Sequence, residues 1–201
     1  DESFSADYEP LQIKTSELSD EQLQAIESIN RSDSPLHYLY GVTGSGKTEV
    51  FFHVALDVIA KGKQVIYLVP EITLTYQLVK NVSNRFQERV AILHSKMTGS
   101  QRLKEWKRIQ RGEVDIVIGA RSAIFAPCNS IGLIIIDEEH EQTYKAGNTP
   151  RYHARQVAQR IAALHHAKIV MGSATPSLEA WAMMTDGLVE KHTLLKRGSG
   201  G

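Results

Sequence analysis

At 201 residues the chain has the length of one domain with a single core. Hydrophobic residues make up 42% and charged residues 23%, which excludes a disordered or collagen-like polymer. Lys plus Arg and Asp plus Glu both number 23, so the formal charge is zero and a polyanion would have to be met by a local patch.

The first 18 residues carry Asp1, Glu2, Asp7, Glu9 and Pro10 among scattered apolar positions, which predicts an arm or linker. Ser19-Asp20-Glu21-Gln22 then fits the S-x-x-Q capping box that opens a helix. Beyond it, apolar runs of strand length alternate with segments of helical period. Strands are predicted at Leu36–Tyr40, Val65–Val69, Val90–Leu93, Val114–Ile118, Leu133–Ile136 and Ile169–Met171. Helices are predicted at Lys47–Lys61 and Gln101–Arg111, closed by Gly62 and Gly112, and at Leu74–Phe86. Runs such as Leu133-Ile134-Ile135-Ile136 are apolar on both faces, as in a parallel sheet covered by helices on both sides. The fold class is therefore α/β, with three layers and a mostly parallel central sheet.

Gly41-Val42-Thr43-Gly44-Ser45-Gly46-Lys47-Thr48 fits G-x-x-x-x-G-K-[ST] between a strand and a helix, the context a phosphate-binding P-loop requires. Its glycines let backbone N–H groups face one anion, the helix N-terminus adds its positive end, Lys47 supplies a point charge, and Thr48 a hydroxyl for magnesium. Asp137-Glu138-Glu139-His140 follows the most apolar strand, at the carboxyl edge where open α/β sheets bind ligands. Asp137 is placed to hold Mg2+ and Glu138 to polarise an attacking water, so Lys47, Asp137 and Glu138 are the catalytic candidates. ATP or ADP with Mg2+ are the expected cofactors.

The single cysteine, Cys128, excludes an internal disulfide and a Cys-rich zinc centre. His140 lacks metal-binding spacing, and the neighbours His165 and His166 project apart on a helix, so no zinc is expected in this segment. No signal-like segment or apolar run of about 18 residues is present, and the expected setting is cytoplasmic, away from membranes. Lys96, Arg102, Lys104, Lys107, Arg108 and Arg111 oppose only Glu105 between residues 94 and 111. That run reads either as a solvated helix face or as a phosphate-touching stripe. Gly198-Ser199-Gly200-Gly201 reads as an engineered flexible tail, leaving 19–197 as the folded unit.

Together, Gly41–Thr48, Asp137–His140 and Ser173-Ala174-Thr175 resemble the ATPase motifs of helicase superfamily two, and in their wording the replication-restart DNA helicases within it. Leu68-Val69-Pro70-Glu71-Ile72 resembles motif Ia of that group, and residues 118–127 resemble motif Ib. The resemblance covers about residues 18–179 and implies a RecA-like P-loop domain that engages single-stranded and forked DNA. It implies that nucleotide is bound by Gln22, Gly41, Thr43, Gly44, Ser45, Gly46, Lys47, Thr48 and Glu49, with Gln22 on the adenine. It further implies that His140, Tyr144, Tyr152, His153, Arg155, Ser173, Ala174 and Thr175 couple DNA to hydrolysis, with unwinding 3′→5′ in the full protein. For Gln22 the cap and the adenine contact both remain open. The expected partners are a second helicase lobe outside these 201 residues, carrying arginine motifs, together with replication-restart proteins and single-stranded DNA-binding protein. The alternatives are a small-molecule P-loop kinase, which has no use for Ser173–Thr175, and a non-catalytic nucleotide-dependent docking module.

Overall fold

The computed structural model describes residues 17–140 and 153–196, arranged around one seven-stranded sheet. The strands are β1 (Leu36–Gly41), β2 (Gln64–Leu68), β3 (Val90–Leu93), β4 (Ile116–Gly119), β5 (Ile131–Asp137), β6 (Lys168–Ser173) and β7 (Glu190–Leu194). Their order is β3-β4-β2-β5-β6-β1-β7, and every pairing is parallel. The helices are α1 (Asp20–Arg31), α2 (Lys47–Ala60), α3 (Tyr76–Phe86), α4 (Gly99–Gln110), α5 (Ala154–His165) and α6 (Leu178–Thr185).

Alternation along the strands sorts the two faces. Leu133 and Ile135 of β5 pack with Leu39, Tyr67 and Val170 against α1, α2 and α3, through Ile26, Ile29, Phe51, Phe52, Val82 and Phe86. Ile134 and Ile136 pack with Tyr38, Leu68 and Met171 against the α4, α5 and α6 side, through Ile109, Ala158 and Ala180. Each strand is thus buried on both sides, which is why its sequence is a continuous apolar run. This is the three-layer RecA-like architecture.

Several boundaries differ from the sequence-based expectation for local reasons. The strand expected from Val114 begins at Ile116, because the Val114 carbonyl accepts from Gln64 Nε2 (3.0 Å). The helix expected from Leu74 begins at Tyr76, because the Thr75 side chain caps it by accepting from the Leu78 N–H (3.3 Å). The edge strand β7 and the short helix α6 were not expected: Glu190-Lys191-His192-Thr193-Leu194 buries only alternate residues and carries no apolar run. Leu18, at the end of the expected arm, is buried against the α1–α2 face. The remainder of that arm up to residue 16 and the Gly-Ser tail lie outside the described residues.

Candidate functional site

Three adjacent strands, β5, β6 and β1, end at the same edge of the sheet. Asp137 pairs with Gly172, while Leu39 and Tyr40 pair with Gly172 and Ser173, so the acidic cluster, the Ser-Ala-Thr segment and the glycine loop emerge side by side.

The loop between β1 and α2 turns through Gly44 (φ 80°) and Gly46 (φ 83°), a left-handed region that favours glycine. At Gly46 a Cβ would also collide with the Gln22 amide. Among the described residues no side chain caps the first turn of α2, which leaves its N-terminal amides for a ligand. Ser45 is buried and its hydroxyl has no hydrogen-bond partner among the described residues. An orphaned buried hydroxyl and an uncapped helix start are what a phosphate-binding loop needs, and in this respect the loop fits a nucleotide. Lys47 folds back, its ammonium donating to the Gly41 carbonyl (2.8 Å) and the Val42 carbonyl (3.4 Å). The Val42 N–H donates to the Leu194 carbonyl (3.3 Å), so the edge strand β7 supports the loop.

Gln22 serves two elements at once. Its carbonyl accepts from the Ser19 N–H (2.8 Å) while its own N–H donates to Ser19 Oγ (3.2 Å), completing the capping box of α1. Its amide nitrogen donates to the Gly46 carbonyl (3.1 Å), holding the loop from α1. Glu49 accepts from Arg85 of α3 through both carboxylate oxygens (2.8 and 2.6 Å), and the guanidinium lies 5.2 Å from the centre of the Phe52 ring. Its side chain therefore braces α2 against α3. Thr43 is exposed and Thr48 half-buried on the loop and first turn.

The acidic segment divides its labour by burial. Asp137 is buried, and burial together with the charge of Glu138 pushes its carboxyl up to about 6, opposed by the Glu138 N–H, the Tyr67 hydroxyl and Lys47. Oδ1 accepts from the Glu138 N–H (2.9 Å) and Oδ2 from Tyr67 (3.2 Å). A divalent cation there would favour the ionised carboxylate. Glu138 has φ 50°, a left-handed conformation costing a non-glycine residue roughly 1–3 kcal/mol, and its side chain stays half-exposed. His140 Nδ1 lies 3.6 Å from Glu138 Oε2 and shares a 2.7 Å hydrogen bond with Ser173 Oγ. Ser173 Oγ also accepts from the Thr175 N–H (2.9 Å). His140 thus joins the acidic cluster to Ser173-Ala174-Thr175.

Glu139, which the sequence did not single out, is almost fully buried. Its carboxyl accepts from the Tyr38 hydroxyl (2.7 Å), the Ser177 N–H (2.8 Å) and the Ser177 hydroxyl (2.9 Å). Ser177 in turn caps α6 by accepting from the Ala180 N–H (3.1 Å). Glu139→Ala strands buried donors on two elements and should lower unfolding stability by about 3 kcal/mol. Urea unfolding would show this as a lower midpoint at an unchanged slope; a loss under about 0.5 kcal/mol would contradict it.

Of the expected DNA-coupling residues, Tyr144 and Tyr152 lie outside the described residues. His153 caps α5, its Nδ1 accepting from the Arg155 N–H (3.1 Å). In the basic run, Arg102 donates to the His94 carbonyl (3.0 Å), and Arg108 is tied to Glu105 (2.9 Å) and the Glu88 carbonyl (2.5 Å). These two arginines are committed to the fold. The cavity of about 1020 Å³ lined by Pro35, Leu36, Lys168 and Ile169 lies at the opposite, amino edge of the sheet.

A family profile described as DEAD/DEAH box helicase matches residues 19–183. The chain is 55% identical over 185 residues to the replication restart protein PriA of Treponema pallidum (strain Nichols), covering 92% of this chain and 28% of that protein. It is 49% identical over 184 residues to PriA of Bacillus subtilis (strain 168), covering 90% and 23% respectively. The chain thus spans about a quarter of the length of these relatives. Among solved structures, RecG bound to a three-way DNA junction superposes with a TM-score of 0.64 at 26% identity, over 92% of this chain and 24% of that one.

Proposed function

Because the chain belongs to the DEAD/DEAH box helicase family, we propose that it is the ATP- and single-stranded-DNA-engaging first lobe of a replication-restart DNA helicase, residues 19–197 forming the lobe. The observation that carries this reading is the meeting of three motifs at neighbouring strand ends, with His140 bonded to Ser173 (2.7 Å) across the acidic cluster and the Ser-Ala-Thr segment. A small-molecule kinase has no use for such a link.

In this reading the loop amides and the Ser45 hydroxyl receive the phosphates, and Lys47 exchanges its two carbonyl partners for them. Gln22 positions the adenine from the same amide that holds Gly46, and Glu49 acts indirectly by fixing the first turn of α2. Thr48 and Asp137 would hold Mg2+, which when bound neutralises charge on the β- and γ-phosphates. Glu138 orients and deprotonates the attacking water, and His140 reports the state of that carboxylate to Ser173 and Thr175. Single-stranded DNA is engaged by Tyr144, Tyr152, His153 and Arg155, whose aromatic faces accept any base. The whole protein would couple turnover to 3′→5′ unwinding of forked DNA in the cytoplasm, with a second lobe, restart proteins and single-stranded DNA-binding protein as partners.

The test is ATP turnover, with and without single-stranded DNA, in a two-lobed protein containing this chain. Replacing Tyr144 and Tyr152 by Ala should remove most DNA stimulation and spare the unstimulated rate, since each stacked base contributes about 1–3 kcal/mol. Equal loss of both rates would assign the tyrosines to packing and refute the DNA role.

A further inference from the structure

At the amino end of β1, away from the phosphate loop, two histidines 155 residues apart in sequence come together with a carboxylate. His37 of β1 is paired in register with Glu190 of β7, and His192 lies two residues on, on the same face as Glu190. His37 Nδ1 and His192 Nε2 are 2.9 Å apart, and each lies 3.9 Å from a Glu190 carboxylate oxygen. All three ligand atoms fall within 4.8 Å of one another, the only such group among the described residues.

These distances bracket what a tetrahedral metal requires. With metal–nitrogen and metal–oxygen bonds of about 2.0–2.2 Å, neighbouring ligand atoms stand roughly 3.3 Å apart. The imidazoles need separate by a few tenths of an ångström; the two 3.9 Å distances run to different Glu190 oxygens, so one oxygen that serves both nitrogens must approach by up to about 1.5 Å, which the 40% exposed side chain permits.

The surroundings already hold the ligands in the required states. His37 Nε2 donates to the Ser34 carbonyl (2.8 Å), which leaves Nδ1 with its lone pair facing His192 and Glu190. Ser32 Oγ donates to Glu190 Oε2 (2.6 Å), orienting the carboxylate. Burial holds both imidazoles below their ordinary range, His192 at about 4, so both are neutral near pH 7. Glu190 and His192 also line a cleft of about 350 Å³ with Glu21, Gln24 and Ser28 of α1, giving water access to a fourth position.

We propose that His37, His192 and Glu190 form a binding site for a Zn2+-class divalent cation, with water as fourth ligand, distinct in place and ligand type from the magnesium site at Thr48 and Asp137. Two imidazoles and one carboxylate favour zinc or its neighbours over magnesium, which takes all-oxygen shells. On binding, the proton that bridges the imidazoles in the metal-free form leaves His192 Nε2 and is carried on Nδ1, so no net proton is released. The bound cation ties the edge strand to β1. The opposite end of that strand holds the phosphate loop through the Leu194 carbonyl, so metal occupancy stiffens β7 where it supports Val42.

The chain, made without a histidine tag and stripped with a chelator, would be titrated with Co2+ as a visible-absorption probe and then with Zn2+. One equivalent of Co2+ should give the intense visible bands of tetrahedral coordination, and Zn2+ should displace it. Cys128 is no rival ligand, because burial raises its thiol to about 12. His192→Gln and Glu190→Gln should each weaken binding at least tenfold. If the histidine variant fails to fold by circular dichroism, the surface variant Glu190→Gln decides alone. No stoichiometric Co2+ binding, or an affinity unaltered by Glu190→Gln, would reduce the cluster to a hydrogen-bonded histidine pair and overturn the proposal.

Discussion

Glu138→Gln, introduced into a two-lobed protein containing this chain, is expected to lower ATP turnover by about 10²- to 10⁴-fold, the range for loss of a positioned general base. Nucleotide affinity should stay within about twofold, because the amide keeps the shape of the carboxyl and Glu138 is not proposed to hold phosphate. The surroundings of the three acids favour Glu138 over its neighbours for the proposed role of base. Asp137 is buried and receives hydrogen bonds from Tyr67 and the Glu138 backbone, and Glu139 is consumed by Tyr38 and Ser177. Only Glu138 of the three keeps a half-exposed carboxyl, turned out of the strand by its left-handed backbone. Turnover at the parental rate would place the base elsewhere.

The second large effect concerns the 201-residue chain by itself, which should hydrolyse ATP about 10³- to 10⁵-fold more slowly than a two-lobed protein with DNA present. An arginine finger accounts for a factor of that size in P-loop enzymes, and the resemblance to superfamily-two helicases implies one on a second lobe. Within the chain, Arg85 is taken up by Glu49, and Arg102 and Arg108 by carbonyl and carboxylate groups of the fold. Unwinding also needs two bodies that close around nucleotide, which one lobe cannot do. Steady-state turnover with and without single-stranded DNA, with Lys47→Ala as the control for contaminating ATPase, measures this. Robust DNA-stimulated hydrolysis by the lone chain would contradict it.

The parts of the site that were legible in the sequence are those whose chemistry is local. A glycine loop between strand and helix, and carboxylates after an apolar strand, each carry their pattern within eight residues, and parallel topology then brings them to one edge. What was illegible depends on distant partners. Nothing near Glu139 announces that Tyr38 and Ser177 will converge on it, and nothing near His37 announces His192. The edge strand β7 was missed because an edge strand with one solvated face is polar at alternate positions, a weaker signal than the doubly buried runs of β2 or β5. Of the two readings of Gln22, the helix cap is formed, its carbonyl accepting from the Ser19 N–H while its amide nitrogen reaches the Gly46 carbonyl; the adenine contact belongs to the proposed function.

Calorimetric titration of the purified chain with Mg·ADP reads out whether Gly41–Thr48 binds the phosphates of a nucleotide. One saturable site is expected, with Lys47→Ala weakening it roughly tenfold to a hundredfold, the loss of a charge-assisted contact to phosphate. That variant keeps the loop amides and the Ser45 hydroxyl, so a residual weak site should persist. Absence of binding by the parent chain, or equal affinity of parent and Lys47→Ala, would contradict the assignment of this loop to the nucleotide.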